Sequence, residues 1–142
     1  MSAWTDIEAE KAFGRASRAR RRASLRCRIG RTSCGCGRLR VHDGLPVLRG
    51  AAATGVREIA VESITATLEP NRAEHFDDAF RPAAPTRARW MRVWAAEHRG
   101  VTLPPISVVP VGDGYAVRDG HHRVSVARAR GAMTIRAIVA AS

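Results

Sequence analysis

The chain lacks several features that mark common protein classes. It has no run of about 20 apolar residues, so we expect neither a membrane span nor a membrane partner. Its three cysteines are an odd number, and the spacing of Cys34 and Cys36 has no matching second pair, which argues against a structural zinc site. We interpret Cys27, Cys34 and Cys36 as plain loop residues in a reducing compartment. A redox pair or a labile metal contact is the alternative.

Acidic residues are also scarce. The sequence has 24 basic residues against 13 acidic ones, which gives a formal net charge of +11, and residues 14–40 contain ten arginines and no acid. Such a balance favours polyanionic partners such as DNA, although an arginine-rich composition alone would produce it too. We predict that Arg20, Arg21 and Arg22 contact nucleic-acid phosphates. A tail with no binding role, produced by composition alone, is the alternative.

The length and the N-terminal residues set the expected organisation. A chain of 142 residues has room for one domain, which we place at residues 56–142 after a basic, flexible N-terminal extension at residues 1–50. Residues 2–13 are too polar for the core of a signal peptide, and the arginine cluster follows them instead of preceding them. We therefore expect a cytoplasmic protein.

Periodicity and turn residues predict a small α+β domain, with a mixed β-sheet and packed helices. We predict helices over residues 4–22, 86–99 and 124–130, and strands over 56–64, 106–109, 115–118 and 134–139. Trp90 and Trp94 recur at helical spacing, which favours a place in the core over nucleobase stacking. Residues 24–40 lack periodicity and are predicted to be loosely ordered.

Residues 119–123, with the sequence DGHHR, are the most informative part of the chain. They lie between a predicted strand and a predicted helix. Glycine at such a turn lets the backbone approach a ligand, and the first helical turn offers unpaired N–H groups and the positive end of the dipole. We therefore predict that Gly120, His121, His122 and Arg123 bind phosphate or another anion.

The same residues have other interpretations. Arg123 could instead pair with Asp119 or Glu97, which would leave it a purely structural role. A Mg²⁺-dependent phosphotransferase or nuclease would use Asp119 or His121 as the general base. No dense acidic cluster suited to two metal ions is visible, and we predict no metal site in the protein itself. A non-catalytic interaction module is a further alternative.

The region around this motif resembles the core of the ParB/sulfiredoxin superfamily, as a "DGHHR" variant of the ParB N-terminal-like domain. The resemblance covers residues 103–139 well and is looser from about residue 59. It is carried by residues 103–108 (LPPISV), 114–117 (GYAV), 119–123 (DGHHR) and 127–131 (ARARG). It implies an α+β fold with a phosphate-binding turn at the motif.

What the resemblance implies for function differs between branches. ParB-type proteins carry G-E-R-R at this turn and hold the triphosphate of a cytidine nucleotide there, whereas sulfiredoxins carry G-C-H-R with a nucleophilic cysteine. His121 occupies the cysteine position, which excludes thiol chemistry. CTP or ATP with Mg²⁺ are the implied ligands, and Arg72 lies in the loop that approaches the nucleotide in ParB-type relatives. A homodimer is left open.

Overall fold

The computed structural model describes residues 3–30, 38–42 and 53–140. The helices are α1 (Ala3–Ile29), α2 (Arg87–His98) and α3 (His121–Ala129). The strands are β1 (Arg40–Val41), β2 (Ala53–Ala60), β3 (Ile64–Thr67), β4 (Ile106–Val111), β5 (Gly114–Asp119) and β6 (Thr134–Ala140). The protein is therefore an α+β fold, as predicted.

The strands of the described residues form one mixed sheet in the order β1-β3-β5-β4-β6-β2. β1 is parallel to β3, and β3 is parallel to β5. β4 pairs antiparallel with β5 and parallel with β6. β5 therefore lies inside the sheet, and its C-terminal end leads directly into α3. Because β3 and β5 are parallel, with Thr67 opposite Val117, their C-terminal ends meet at the same edge.

The predicted single strand over residues 56–64 is wrong. The chain forms β2, turns through a short 3-10 helix at Val61–Ser63, and then forms β3 elsewhere in the sheet. Val61 is buried, and its N–H donates to the carbonyl of Met133 at 3.0 Å, which anchors the turn. Ile59 and Val61 fit one alternating strand, but the apolar residues change phase after Val61 and continue at Ile64 and Ala66, a shift that the prediction of a single strand overlooked.

Both tryptophans of α2 belong to the core, as predicted, with exposed fractions of 0% for Trp90 and 7% for Trp94. Trp90 packs edge-on against Phe13 of α1, with 5.5 Å between the ring centroids. Its indole N–H donates to Oγ of Ser125 on α3 at 2.8 Å. These contacts join the three helices into one packed layer.

The N-terminal part of the chain is more ordered than the sequence indicated. The helix continues to Ile29, beyond the predicted end at residue 22, because alanine, leucine and arginine have high helix propensity and need no apolar stripe to form its exposed end. Cys27 therefore lies on α1 instead of in a loop, and it is disulfide-bonded. Cys34 and Cys36 lie outside the described residues. The division into an extension and a domain stays a prediction.

Among the described residues, no helix combines the length and the apolar character that a membrane crossing requires.

Candidate functional site

The predicted phosphate-binding motif forms an abrupt turn between β5 and α3. β5 ends at Asp119 and α3 begins at His121, three residues earlier than predicted, so that Gly120 alone separates them. Gly120 has φ of 109°, and a Cβ atom at this position would lie 2.5 Å from Cγ2 of buried Ile106. Only glycine fits this backbone and this close approach. The turn therefore depends on both the conformation and the small size of residue 120.

The first turn of α3 carries no side-chain cap. The N–H of Val124 donates to the carbonyl of Gly120 at 3.0 Å, so the N–H groups of His121, His122 and Arg123 precede the hydrogen bonds within the helix. Uncapped N–H groups and the positive end of the helix dipole together favour a bound anion.

His121 and His122 form a buried wall next to this turn, with exposed fractions of 4% and 6%. Their rings contact Phe76, at centroid distances of 6.2 and 5.3 Å. Nε2 of His121 also shares a hydrogen bond of 2.6 Å with the hydroxyl of Thr67, at the end of β3. Burial and nearby arginines lower the pKa of each histidine to about 4. Both imidazoles are therefore neutral at neutral pH and add no charge to the site.

Arg123 is held by several contacts within the protein. It donates to the backbone carbonyls of Pro104 and Pro105, the second at 3.1 Å. Its guanidinium also pairs with the carboxylate of Asp119 at 3.2 Å, the structural alternative that the sequence left open. Arg123 thus fixes the segment before β4 against the start of α3.

A cavity of about 400 Å³ opens at this turn. Four arginines and two carboxylates contribute to its lining, so their formal charges sum to +2 while the histidines are neutral. The lining residues are Glu69, Arg72, Arg89, Val93, Leu103, Pro104, Arg118, Asp119, Gly120, His121, His122 and Arg123. This net charge favours an anionic ligand.

The structure brings together Arg72 and the five residues of the motif, all of which line this cavity. Arg20, Arg21 and Arg22 do not line it, since they lie on α1. In the part of the chain that the structure describes, no group of three or more histidine, cysteine or acidic side chains could hold a metal ion.

The catalytic assignment of Asp119 and His121 stays a prediction. Asp119 is 72% exposed at the cavity but is paired with Arg123. His121 has a pKa near 4, well below the neutral range in which a general base works best. A base role for His121 would require a bound ligand to raise that pKa.

Sequence reasoning missed Arg89 and Arg118. Arg118 is the last residue of the predicted strand before the motif, and its exposed place beside buried Val117 follows from strand alternation. Arg89 lies on the exposed side of α2, and no local signal places it near residue 120. Only the packing of α2 against α3 brings it to the cavity.

Comparison with protein-family models gives no match, and comparison with curated proteins gives none either. Among solved structures, the chain is similar to the crystal structure of sulfiredoxin from Arabidopsis thaliana, with a TM-score of 0.47 and 19% sequence identity. The similarity covers 63% of this chain and 88% of that chain. A sulfiredoxin is thus among the solved structures that this chain is similar to, as the sequence motifs predicted.

Proposed function

We propose that this protein binds the phosphate groups of a nucleotide at the turn between β5 and α3. The observation that carries the proposal is an uncapped helix start that opens into a cavity lined by Arg72, Arg89 and Arg118. Among the described residues, no carboxylate lies within ion-pair distance of these three arginines, whereas Asp119 engages Arg123. The three guanidinium groups are therefore available to a ligand.

The parts of the cavity have different roles in this proposal. The N–H groups at the start of α3 bind one phosphate, as backbone donors at a helix start commonly do. Arg72 and Arg89, which also line the cavity, supply charge-assisted hydrogen bonds to the phosphates. Arg123 positions the turn through its contacts with Pro104 and Pro105. His121 is neutral and shares its Nε2 hydrogen bond with Thr67, so it adds no charge to the ligand site.

A nucleotide suits the cavity better than the backbone of duplex DNA. The site is concave and of small-molecule size, whereas a duplex presents its phosphates on a broad convex surface. CTP and ATP are the first ligands to test, because the resemblance to ParB-type proteins implies a nucleotide triphosphate. Mg²⁺ would enter with the phosphates, since the described residues offer it no site of their own.

Calorimetric titration of the full chain with CTP, ATP and GTP, with and without Mg²⁺, tests the proposal. We expect binding of at least one nucleotide, weakened about tenfold in Arg72→Ala and in Arg89→Ala through loss of a charge-assisted hydrogen bond. Arg92→Ala is the matched control, because Arg92 is exposed on the same helix and does not line the cavity. Equal affinities of Arg89→Ala and Arg92→Ala, or no binding of any nucleotide, would contradict the proposal.

The basic half of α1 supports DNA binding as a second candidate function. α1 carries seven arginines from Arg15 to Arg28 and no acidic residue in that stretch. Because phosphate contacts of this kind release counterions, we expect binding of a short DNA duplex that weakens steeply with added salt. Replacing Arg20, Arg21 and Arg22 by alanine should abolish it in a fluorescence anisotropy assay, and Arg89→Ala should not. A duplex affinity that the triple replacement leaves unchanged would contradict this role.

A further inference from the structure

A second cavity lies between α1, α3 and residues 79–82. Its volume is about 650 Å³. One wall is the alanine face of α1, formed by Ala12, Ala16 and Ala19, and the rings of Phe80 and Trp94 contribute further apolar surface. None of its lining residues belongs to the cavity at the turn. The two cavities are therefore separate sites.

Four arginines converge on this second cavity: Arg15 from α1, Arg81 from the loop, and Arg128 and Arg130 from the C-terminal end of α3. Arg81 pairs with Asp77 at 3.1 Å. For the other three, no described residue places a carboxylate within ion-pair distance, and none of the lining residues is acidic. Three of these four arginines therefore have no ion-pair partner among the described residues.

The Nε atom of Arg128 is a buried donor without a partner among the described residues. Nη2 donates to the carbonyls of Val61 and Ile64 at the long distances of 3.5 and 3.4 Å. A buried donor without an acceptor is unfavourable, and an anion in the cavity would supply one.

The aromatic rings hold two of the guanidinium groups at the cavity wall. Arg128 lies over the ring of Phe80 at 5.9 Å, and Arg130 lies over the ring of Trp94 at 5.4 Å. Arg128 and Arg130 lie at the C-terminal end of α3, where the helix dipole also favours positive charge. That effect does not account for Arg15 and Arg81, which come from other elements and line the same cavity.

We propose that this second cavity binds an organic anion, with its phosphate or carboxylate group on Arg15 and Arg128 and its apolar body on the alanine face of α1. An inorganic ion would leave the apolar wall unused, and a neutral apolar molecule would leave Arg15 and Arg128 without an ion-pair partner. Small-molecule sites commonly combine an apolar lining with a few polar groups in this way. The proposal is independent of nucleotide binding at the turn.

Amide NMR spectra of the full chain, titrated with phenyl phosphate, benzoate, inorganic phosphate and phenol, test this inference. We expect at least one of the two organic anions to shift the amide signals of Ala16 and Ala129. It should bind about tenfold more tightly than inorganic phosphate and than phenol, because only it uses both the arginines and the apolar wall. Phenyl phosphate and benzoate distinguish a phosphate site from a carboxylate site. No shift at Ala16 and Ala129, or equal affinity for inorganic phosphate, would overturn the proposal.

Two matched variants separate this site from nonspecific attraction to a basic helix. Arg15→Ala should weaken binding of the organic anion about tenfold, whereas Arg21→Ala removes the same charge from the same helix outside the cavity and should leave it unchanged. Equal losses in the two variants would overturn the proposal. Arg89→Ala, at the other cavity, should leave these shifts intact. Their disappearance in that variant would assign the ligand to the turn and also overturn the proposal.

Discussion

Gly120→Ala is the most direct test of how the turn is built. The substitution adds one methyl group to a residue that has φ of 109°, a backbone conformation that alanine rarely adopts. The added Cβ would also lie 2.5 Å from Cγ2 and 2.9 Å from Cβ of Ile106, which is fully buried. Two separate costs are therefore expected, one from the backbone and one from the contact.

The two costs can be estimated separately. Holding alanine at positive φ costs about 1–2 kcal/mol. Relieving an overlap with a packed core side chain costs about 1–3 kcal/mol more. Gly120→Ala should therefore lower the free energy of unfolding by roughly 2–5 kcal/mol, a large part of the stability of a small domain.

Gly131→Ala is the matched control. Gly131 also has positive φ, at 76°, but an added Cβ would meet no atom within 4 Å. This variant should show the backbone cost alone, about 1–2 kcal/mol. Equilibrium unfolding in urea, followed by tryptophan fluorescence, measures both variants.

The contact cost can be isolated in a double-mutant cycle. Ile106→Ala removes Cγ2, the nearer of the two Ile106 atoms that the new methyl would meet, and keeps only Cβ at 2.9 Å, so Gly120→Ala should cost less in that background than in the wild type. If Gly120→Ala destabilises the protein no more than Gly131→Ala, the close approach of residue 120 to Ile106 does not limit the turn, and the reasoning is refuted.

Two further predictions concern the buried polar groups around α3. The pKa of His121 is lowered to about 4 in the folded protein, against 6.5 in the unfolded chain, so its contribution to stability is complete above pH 6.5 and is lost as pH falls towards 4. The free energy of unfolding falls by about 3 kcal/mol over this range. In urea unfolding between pH 6.5 and 4, His121→Asn should show a smaller pH dependence of stability than the wild type. Equal pH dependence in the two proteins would contradict the lowered pKa. Ser125→Ala removes the acceptor of the Trp90 indole N–H, which leaves that donor buried without a partner, and should destabilise the protein by about 1–3 kcal/mol. Ser125→Thr keeps the hydroxyl and is the control in the same unfolding assay. If Ser125→Ala lowers the free energy of unfolding less than Ser125→Thr does, the result would count against the hydrogen bond.

Much of the fold could be predicted because its signals are local. The hairpin of β4 and β5 is marked by the glycines at residues 112 and 114. The stripe of Trp90 and Trp94 identified both α2 and its buried face. The split between β2 and β3 has a local sign, since Ile59 and Val61 are out of phase with Ile64 and Ala66, but the sequence did not show that the two strands pair with different partners.

The candidate site shows the same division. The sequence by itself determined the turn, since a glycine between a strand and a helix is a local requirement of the backbone. Only the tertiary structure brought Arg89 to that turn, engaged Arg123 with Asp119 and two proline carbonyls, and made His121 and His122 neutral by burying them. It also decided that four arginines from three parts of the chain surround a second cavity. The physical reason is that backbone conformation depends on neighbouring residues, whereas charge pairing, burial and protonation depend on residues that meet only when the chain is folded.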